Sequence, residues 1–240
     1  MVCFDEAMRD VHPRVAAALD AQLVRWRTAL DAGERRVGWK LGLNFAEVEE
    51  VIGQDPIIGH LTTGTLLGTG ESYATQAAED LRAEAEVALV IGQDVAADAS
   101  ADEARAAIAG AAVALEIVDV SRPPDDLEGI VIENAFHRAF VLGPARRVDP
   151  SGLQAHLTIN GELRSSATAG DDHSGVVRAV AQLLAAAGEQ LQRRDQILAG
   201  ALTHVAVRPG DEITADIQHL GAVKLTLRGR TTRSLAAGAG

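Results

Sequence analysis

Leu81-Arg82-Ala83-Glu84-Ala85-Glu86-Val87-Ala88-Leu89-Val90-Ile91-Gly92 is the stretch that decides how the chain is read. Its apolar residues alternate and then run together, which predicts a strand. Side chains in a strand alternate faces, so Leu81, Ala83, Ala85, Val87 and Leu89 share one face. Glu84 and Glu86 share the other, with Cα atoms roughly 6.5 to 7 Å apart. On the pair alone, a solvated face is the simpler account. Two carboxylates on a half-buried face would repel and lose hydration, and their oxygens suit a hard divalent cation such as Mg2+ or Mn2+. A third carboxylate shifts the balance. Glu116 stands inside Val113-Ala114-Leu115-Glu116-Ile117-Val118-Asp119-Val120, where a lone charge is costly unless paired or metal-bound. Three carboxylates from two strands, with positions left for water and substrate, make a candidate catalytic metal site.

Bulk properties narrow the classes. A chain of 240 residues suits one large domain, or a main domain with a small N-terminal piece. We divide it into a helical, pocket-lining part over 1–70 and a mixed β-roll core over 71–240, together one compact unit. Hydrophobic residues make up 47% but aromatic ones only 3%, so the core is built from Ala, Val, Leu and Ile. A formal net charge of −12 without a basic block argues against nucleic acid or an anionic membrane as partner. Cys3 is the only cysteine, which excludes an intramolecular disulfide and a cysteine zinc site. The start shows no basic region followed by an apolar run, and no apolar stretch reaches ~18 residues. The cytoplasm is the expected location.

Along the chain, Val15, Ala18, Leu19, Leu23, Trp26 and Leu30 recur at helical spacing, predicting an amphipathic helix from Pro13 to about Ala32. Val37-Gly38-Trp39-Lys40-Leu41-Gly42-Leu43 reads as a short strand with a lysine in its middle. That lysine either snorkels to water along apolar neighbours or serves an anion or a proton transfer. A short helix is expected over Phe45 to Ile52, and a pocket-lining or purely structural loop over Asp55 to Gly64. Ser100 and Glu103 have capping-box spacing for a helix to about Ala109. Asn134 and His137 are polar residues in the apolar segment Ile130 to Gly143, available either for structural hydrogen bonds or for a site. Asn160-Gly161 marks a hairpin. A helix follows from about Ser174 to Glu189, then strand-like runs over Ile197 to Thr203, His204 to Val207, Ile213 to Ile217 and Val223 to Leu227. Eight to ten strands and three or four helices without strict alternation point to an α+β fold with a rolled or barrel-like mixed sheet.

Gly38-Trp39-Lys40-Leu41-Gly42, Gly59-His60-Leu61-Thr62, Glu84-Ala85-Glu86, Ala114-Leu115-Glu116-Ile117-Val118-Asp119 and Glu133-Asn134 together resemble the 2-keto-4-pentenoate hydratase and 4-oxalocrotonate decarboxylase family, within the fumarylacetoacetate hydrolase superfamily. Ala199-Gly200-Ala201-Leu202-Thr203, Pro209-Gly210-Asp211 and Leu220-Gly221-Ala222-Val223 add to the resemblance, which spans roughly residues 13 to 228. It implies a mixed β-roll of the fumarylacetoacetate hydrolase C-terminal type with flanking helices. It also implies Mg2+ or Mn2+ held by Glu84, Glu86 and Glu116, with Lys40 in the pocket. The activity implied is a metal-dependent hydratase on a small 2-oxo acid or dienoate, through a metal-stabilised enolate. A decarboxylase, isomerase or C–C hydrolase of a related dicarbonyl compound is the alternative, and a catalytically silent homologue the reading from another class. Substrate-binding positions on this basis are Leu61, Thr63, Asn134 and Thr203, and a homo-oligomer is expected. The family's hydratases carry an acidic residue where Thr63 stands, and Asp-Asn followed by small residues and serine where this chain has Glu133-Asn134-Ala135-Phe136-His137. His137 is therefore a candidate replacement acid/base, or a residue that fills the pocket.

Overall fold

The structure is a computed structural model that describes residues 13–42, 56–76 and 79–229. The helix expected over Phe45 to Ile52, Cys3, and the small-residue tail from Leu235 lie outside them. Among the described residues the chain forms four helices, α1 (Pro13–Asp31), α2 (Ala101–Ala107), α3 (Leu127–Ile132) and α4 (His173–Ala186). The strands are β1 (Arg36–Gly42), β2 (Ile57–Thr62), β3 (Leu66–Leu67), β4 (Ser72–Ala74), β5 (Leu81–Ile91), β6 (Ile108–Asp119), β7 (His137–Leu142), β8 (Gln154–Ile159), β9 (Glu162–Thr168), β10 (Gln196–Ala201), β11 (Val205–Ala206), β12 (Glu212–Ile217) and β13 (Gly221–Arg228). An eight-stranded sheet runs β2-β1-β10-β5-β6-β7-β3, with β11 pairing β5, and a five-stranded sheet runs β4-β13-β12-β8-β9. Parallel and antiparallel pairs occur in both. The rolled mixed sheet expected from the sequence is the observed architecture.

The two faces of β5 do different work, because side chains alternate along a strand. Leu81, Ala83, Ala85, Val87 and Leu89 enter the main core, together with Ile213 and Ile217 of β12 and Val223 and Leu225 of β13 on the second sheet. Each large side chain taken from water there contributes about 1.5 to 3 kcal/mol. The opposite face carries Glu84 and Glu86, then Ala88, which joins a separate small cluster with Leu61, Ala112, Ala114, Phe140 and Leu198. The carboxylates thus sit on the face turned away from the second sheet.

Local signals explain most elements. In α1, Val15, Leu19, Leu23 and Trp26 form the buried stripe, and Trp26 meets Trp39 of β1 with ring centroids 5.2 Å apart. Ser100 and Glu103 form a complete capping box on α2. Asn160 and Gly161 both have positive φ in the β8–β9 turn, as a two-residue hairpin turn requires. One segment differs from expectation. Ile57–Thr62, expected as loop, is strand β2: Ile57, Ile58 and Leu61 are buried and pair along β1. Small polar residues between them hide the alternation, since Gly59 and His60 carry little apolar signal. The apolar segment from Ile130 begins inside helix α3 and becomes strand only at His137. No helix among the described residues is long and apolar enough to cross a membrane.

Candidate functional site

Register assembles the carboxylates. β5 and β6 pair antiparallel with Glu84 directly opposite Glu116 and Glu86 opposite Ala114, so three carboxylates of two strands share one face. One oxygen from each lies within 4.8 Å of the others. All three residues are buried, at 8, 1 and 0% exposure. Lys40 arrives from β1, two strands away, in the row Lys40–Leu198–Ala88.

Glycines make that arrival possible. A Cβ at Gly38 would stand 1.9 Å from the Gln196 carbonyl oxygen, so no other residue lets β1 lie this close to β10. A Cβ at Gly59, opposite Lys40, would stand 2.8 Å from Lys40 Cγ and 2.8 Å from Asn134 Oδ1.

Each carboxylate has one oxygen claimed by the protein. His204 Nδ1 lies 2.6 Å from Glu84 Oε1, and the Gly200 N–H donates to Glu86 Oε2 at 2.9 Å. Lys40 Nζ and His137 Nδ1 both reach Glu116 Oε1, at 2.8 and 2.7 Å. Glu116 Oε2 is buried without a hydrogen-bond partner. Lys40 Nζ also donates to the Ala135 carbonyl at 3.0 Å, and His137 Nε2 lies 2.9 Å from Thr65 Oγ1.

The electrostatics are lopsided: three buried carboxylates face one ammonium. Burial, then the charges of Glu116 and Glu84, push the Glu86 carboxyl well above its ordinary value. Burial would do the same to Glu116, but Lys40 and His137 outweigh it and hold that group below the ordinary range. Burial lowers Lys40, yet Glu116, Glu84 and Glu86 together outweigh it and leave the ammonium favoured. His137 is lowered, chiefly by burial. His60 falls to about 4 through burial and then the charge of His137. Buried charge of this kind is stable only when compensated, and three oxygen donors with one orphaned oxygen fit a hard divalent cation.

The other sequence-singled residues fall in different places. Leu61 is fully buried on the Lys40 side of the sheet, in the small cluster. Thr203 Oγ1 accepts from the Ala85 N–H at 2.9 Å, between the two glutamates, where β10 bulges out of its ladder with β5. Asn134 pairs both ends of its amide with the His60 backbone: Oδ1 accepts from the N–H at 2.6 Å and Nδ2 donates to the carbonyl at 3.0 Å. Asn134, Ala135 and Phe136 all have left-handed φ (68, 51 and 66°), which turns the Ala135 carbonyl onto Lys40. Thr63 stands just past the end of β2, and its Oγ1 accepts from the Arg35 N–H at 2.9 Å. Sequence reasoning missed Thr65, His204, the Gly200 N–H and the Ala135 carbonyl. His204 follows Thr203 directly and was open to notice; backbone groups leave no signal in a sequence.

Comparison with known proteins agrees with this geometry. Residues 39–228 match the fumarylacetoacetate (FAA) hydrolase C-terminal profile. The chain is 31% identical over 226 residues to a 4-oxalocrotonate decarboxylase of a Pseudomonas species, covering 90% of this chain and 87% of that one. It is 32% identical over 206 residues to a 2-keto-4-pentenoate hydratase of Burkholderia vietnamiensis, covering 81 and 79%. The solved structure of 4-oxalocrotonate decarboxylase from Pseudomonas putida G7, complexed with magnesium and adipate, matches with a TM-score of 0.78 at 26% identity, covering 89% of this chain and 86% of that one. The chain therefore belongs to the fumarylacetoacetate hydrolase family, through that family's C-terminal domain.

Proposed function

We propose that the protein is a divalent-cation-dependent lyase on a small 2-oxo acid or dienoate, working as a hydratase. The observation that carries this is the convergence of Glu84, Glu86 and Glu116, each buried with one carboxylate oxygen within 4.8 Å of the others, and with Glu116 Oε2 left without a protein partner. Those residues would hold Mg2+ or Mn2+. Either ion, when bound, supplies Lewis-acid charge to the oxygens of a 2-oxo acid. Lys40 stays an ammonium beside Glu116, so it acts as a donor, holding negative charge that develops on substrate or returning a proton to it. Two of its three N–H bonds go to Glu116 and Ala135, which leaves one for the substrate. Thr203 accepts from Ala85, so its own O–H is left to donate to a substrate carboxylate. Leu61, Phe140 and Leu198 form an apolar wall on the same face and keep bulk water from the developing charge.

A decarboxylase is the second reading, supported by the named decarboxylase relative and by its structural counterpart at a TM-score of 0.78. Both reactions need the same carboxylates and Lys40. Purified protein with Mg2+ or Mn2+ is offered 2-keto-4-pentenoate, with loss of the conjugated chromophore followed, and separately 4-oxalocrotonate, with CO2 release followed. Turnover of the first without the second assigns the hydratase. Glu84→Gln is expected to abolish either activity with the fold intact; full turnover in that variant would show that the site is elsewhere. The same reading includes a homo-oligomer, which light scattering on the purified protein tests.

A further inference from the structure

We infer that His137 is a positioning residue rather than an acid/base: it fixes which oxygen of Glu116 is presented to the cation. The inference rests on the metal reading above. His137 is buried, with 1% of its side chain exposed, and both ring nitrogens are engaged. An ionised Glu116 has no hydrogen to give, so Nδ1 carries the proton and donates to Oε1. Nε2 is then the acceptor, and it takes the Thr65 hydroxyl hydrogen at 2.9 Å. Thr65 thereby sets the tautomer, and no nitrogen is left over to exchange a proton with substrate.

The donors converge on one atom. Lys40 Nζ and His137 Nδ1 bind the same oxygen, Oε1, and none reaches Oε2. A carboxylate with two donors on one oxygen cannot rotate without breaking both. Oε2 is left buried and unpartnered, in a residue that brings a carboxylate oxygen within 4.8 Å of one from Glu84 and one from Glu86. A histidine donating from outside onto a metal-binding carboxylate orients the ligand before the cation arrives, and loss of such a partner typically weakens metal affinity. Phe140 packs against the ring at a centroid distance of 5.6 Å and limits its swing. The backbone completes the device: the left-handed run Asn134–Phe136 ends at His137, and the Asn134 clasp on His60 fixes where the ring begins.

The test is Mn2+ binding, followed by the electron paramagnetic resonance of free Mn2+, on the full chain. His137→Leu keeps the volume and removes the donor; it is expected to weaken Mn2+ affinity by about 10- to 100-fold. His137→Asn places an amide N–H where Nδ1 stands, and is expected to recover most of that loss. A histidine that merely filled space would give no such rescue. Wild-type affinity in His137→Leu, or equal losses in the Leu and Asn variants, overturns the inference. Circular dichroism in chelator checks the fold. Should His137→Leu not fold, Thr65→Val decides: a several-fold weakening supports the inference and wild-type affinity overturns it. Glu116→Gln separates the two levels. If it binds Mn2+ as the wild type does, the metal reading fails and this inference with it. If it loses binding while His137→Leu does not, the metal reading stands and only the positioning role is overturned.

Discussion

Glu86 is the residue where function and stability pull hardest against each other. It is 1% exposed, and burial together with Glu116 and Glu84 raises its carboxyl well above the ordinary range. In the metal-free protein its charge is a liability; with a cation it is a ligand. Replacing an uncompensated buried charge by a neutral group of the same shape commonly stabilises a protein. Glu86→Gln is expected to raise metal-free stability by on the order of 1 kcal/mol, a rise in Tm of about 2 to 4 °C for a chain of this size, while Mn2+ binding is lost. Thermal melts in chelator and in Mn2+ check both halves. A lower metal-free Tm would mean that Glu86 is already compensated without a cation.

Among the elements, the turn between α3 and β7 carries most of the site's geometry. Three successive non-glycine residues in the left-handed region cost roughly 1 to 2 kcal/mol each, and the conformation persists because the Asn134 amide is paired to His60 on β2. Asn134→Ala removes both bonds and is expected to cost about 1 to 3 kcal/mol. It should also lower kcat, because the Ala135 carbonyl no longer orients Lys40. Unchanged melting and unchanged turnover would show that the turn holds itself. The ends of β5 and β6 are tied differently, through Asp119. Its carboxylate accepts from the Asp80 and Ser121 N–H groups and from Arg138. Burial alone would raise this group, but these donors outweigh it and hold it below the usual carboxylate range. A depressed carboxyl contributes stability that is present above its unfolded value, about 4, and lost as pH falls through its folded value. Asp119→Asn is expected to lower stability at neutral pH and to flatten the acid limb below pH 4, read from denaturant melts across pH; an acid limb as steep as the wild type's would rule this out.

For the whole molecule, the cation acts as a folding ligand. The three carboxylates come from strands joined only in the folded sheet, so an unfolded chain offers no comparable site and binding shifts the folding equilibrium. At a free Mg2+ or Mn2+ concentration of 100 times Kd, the gain is about 2.7 kcal/mol, or on the order of 5 to 10 °C in Tm. Glu116→Gln should abolish that shift. A shift of wild-type size in that variant would locate the stabilising cation elsewhere. The sheet that carries the site is backed by the second sheet through the opposite face of β5. Stiffness at the carboxylates therefore depends on packing among Ala83, Ala85 and Val87 that never touches a ligand.

The sequence by itself determined the strands that matter and the face each glutamate takes, because alternation is a local property with a period of two. Glu84 and Glu86 were bound to share a face, and Glu116 inside an apolar run was bound to need compensation. Helix α1, the α2 capping box and the β8–β9 turn were legible for the same reason, as patterns within a few residues of one another. The family resemblance was legible because its motifs keep their order along the chain. Strand β2 was not, since Gly59 and His60 interrupt its pattern and only pairing with β1 makes it a strand. Nor could any pattern place Thr63 on the Arg35 backbone or His204 on Glu84. Tertiary structure alone decided register, and register put Glu116 opposite Glu84, Lys40 of β1 within reach of Glu116, and His137 and Thr65 behind Glu116. Those contacts join residues up to 120 positions apart, and a distance of that kind is set by how sheets close, not by what stands next in the chain.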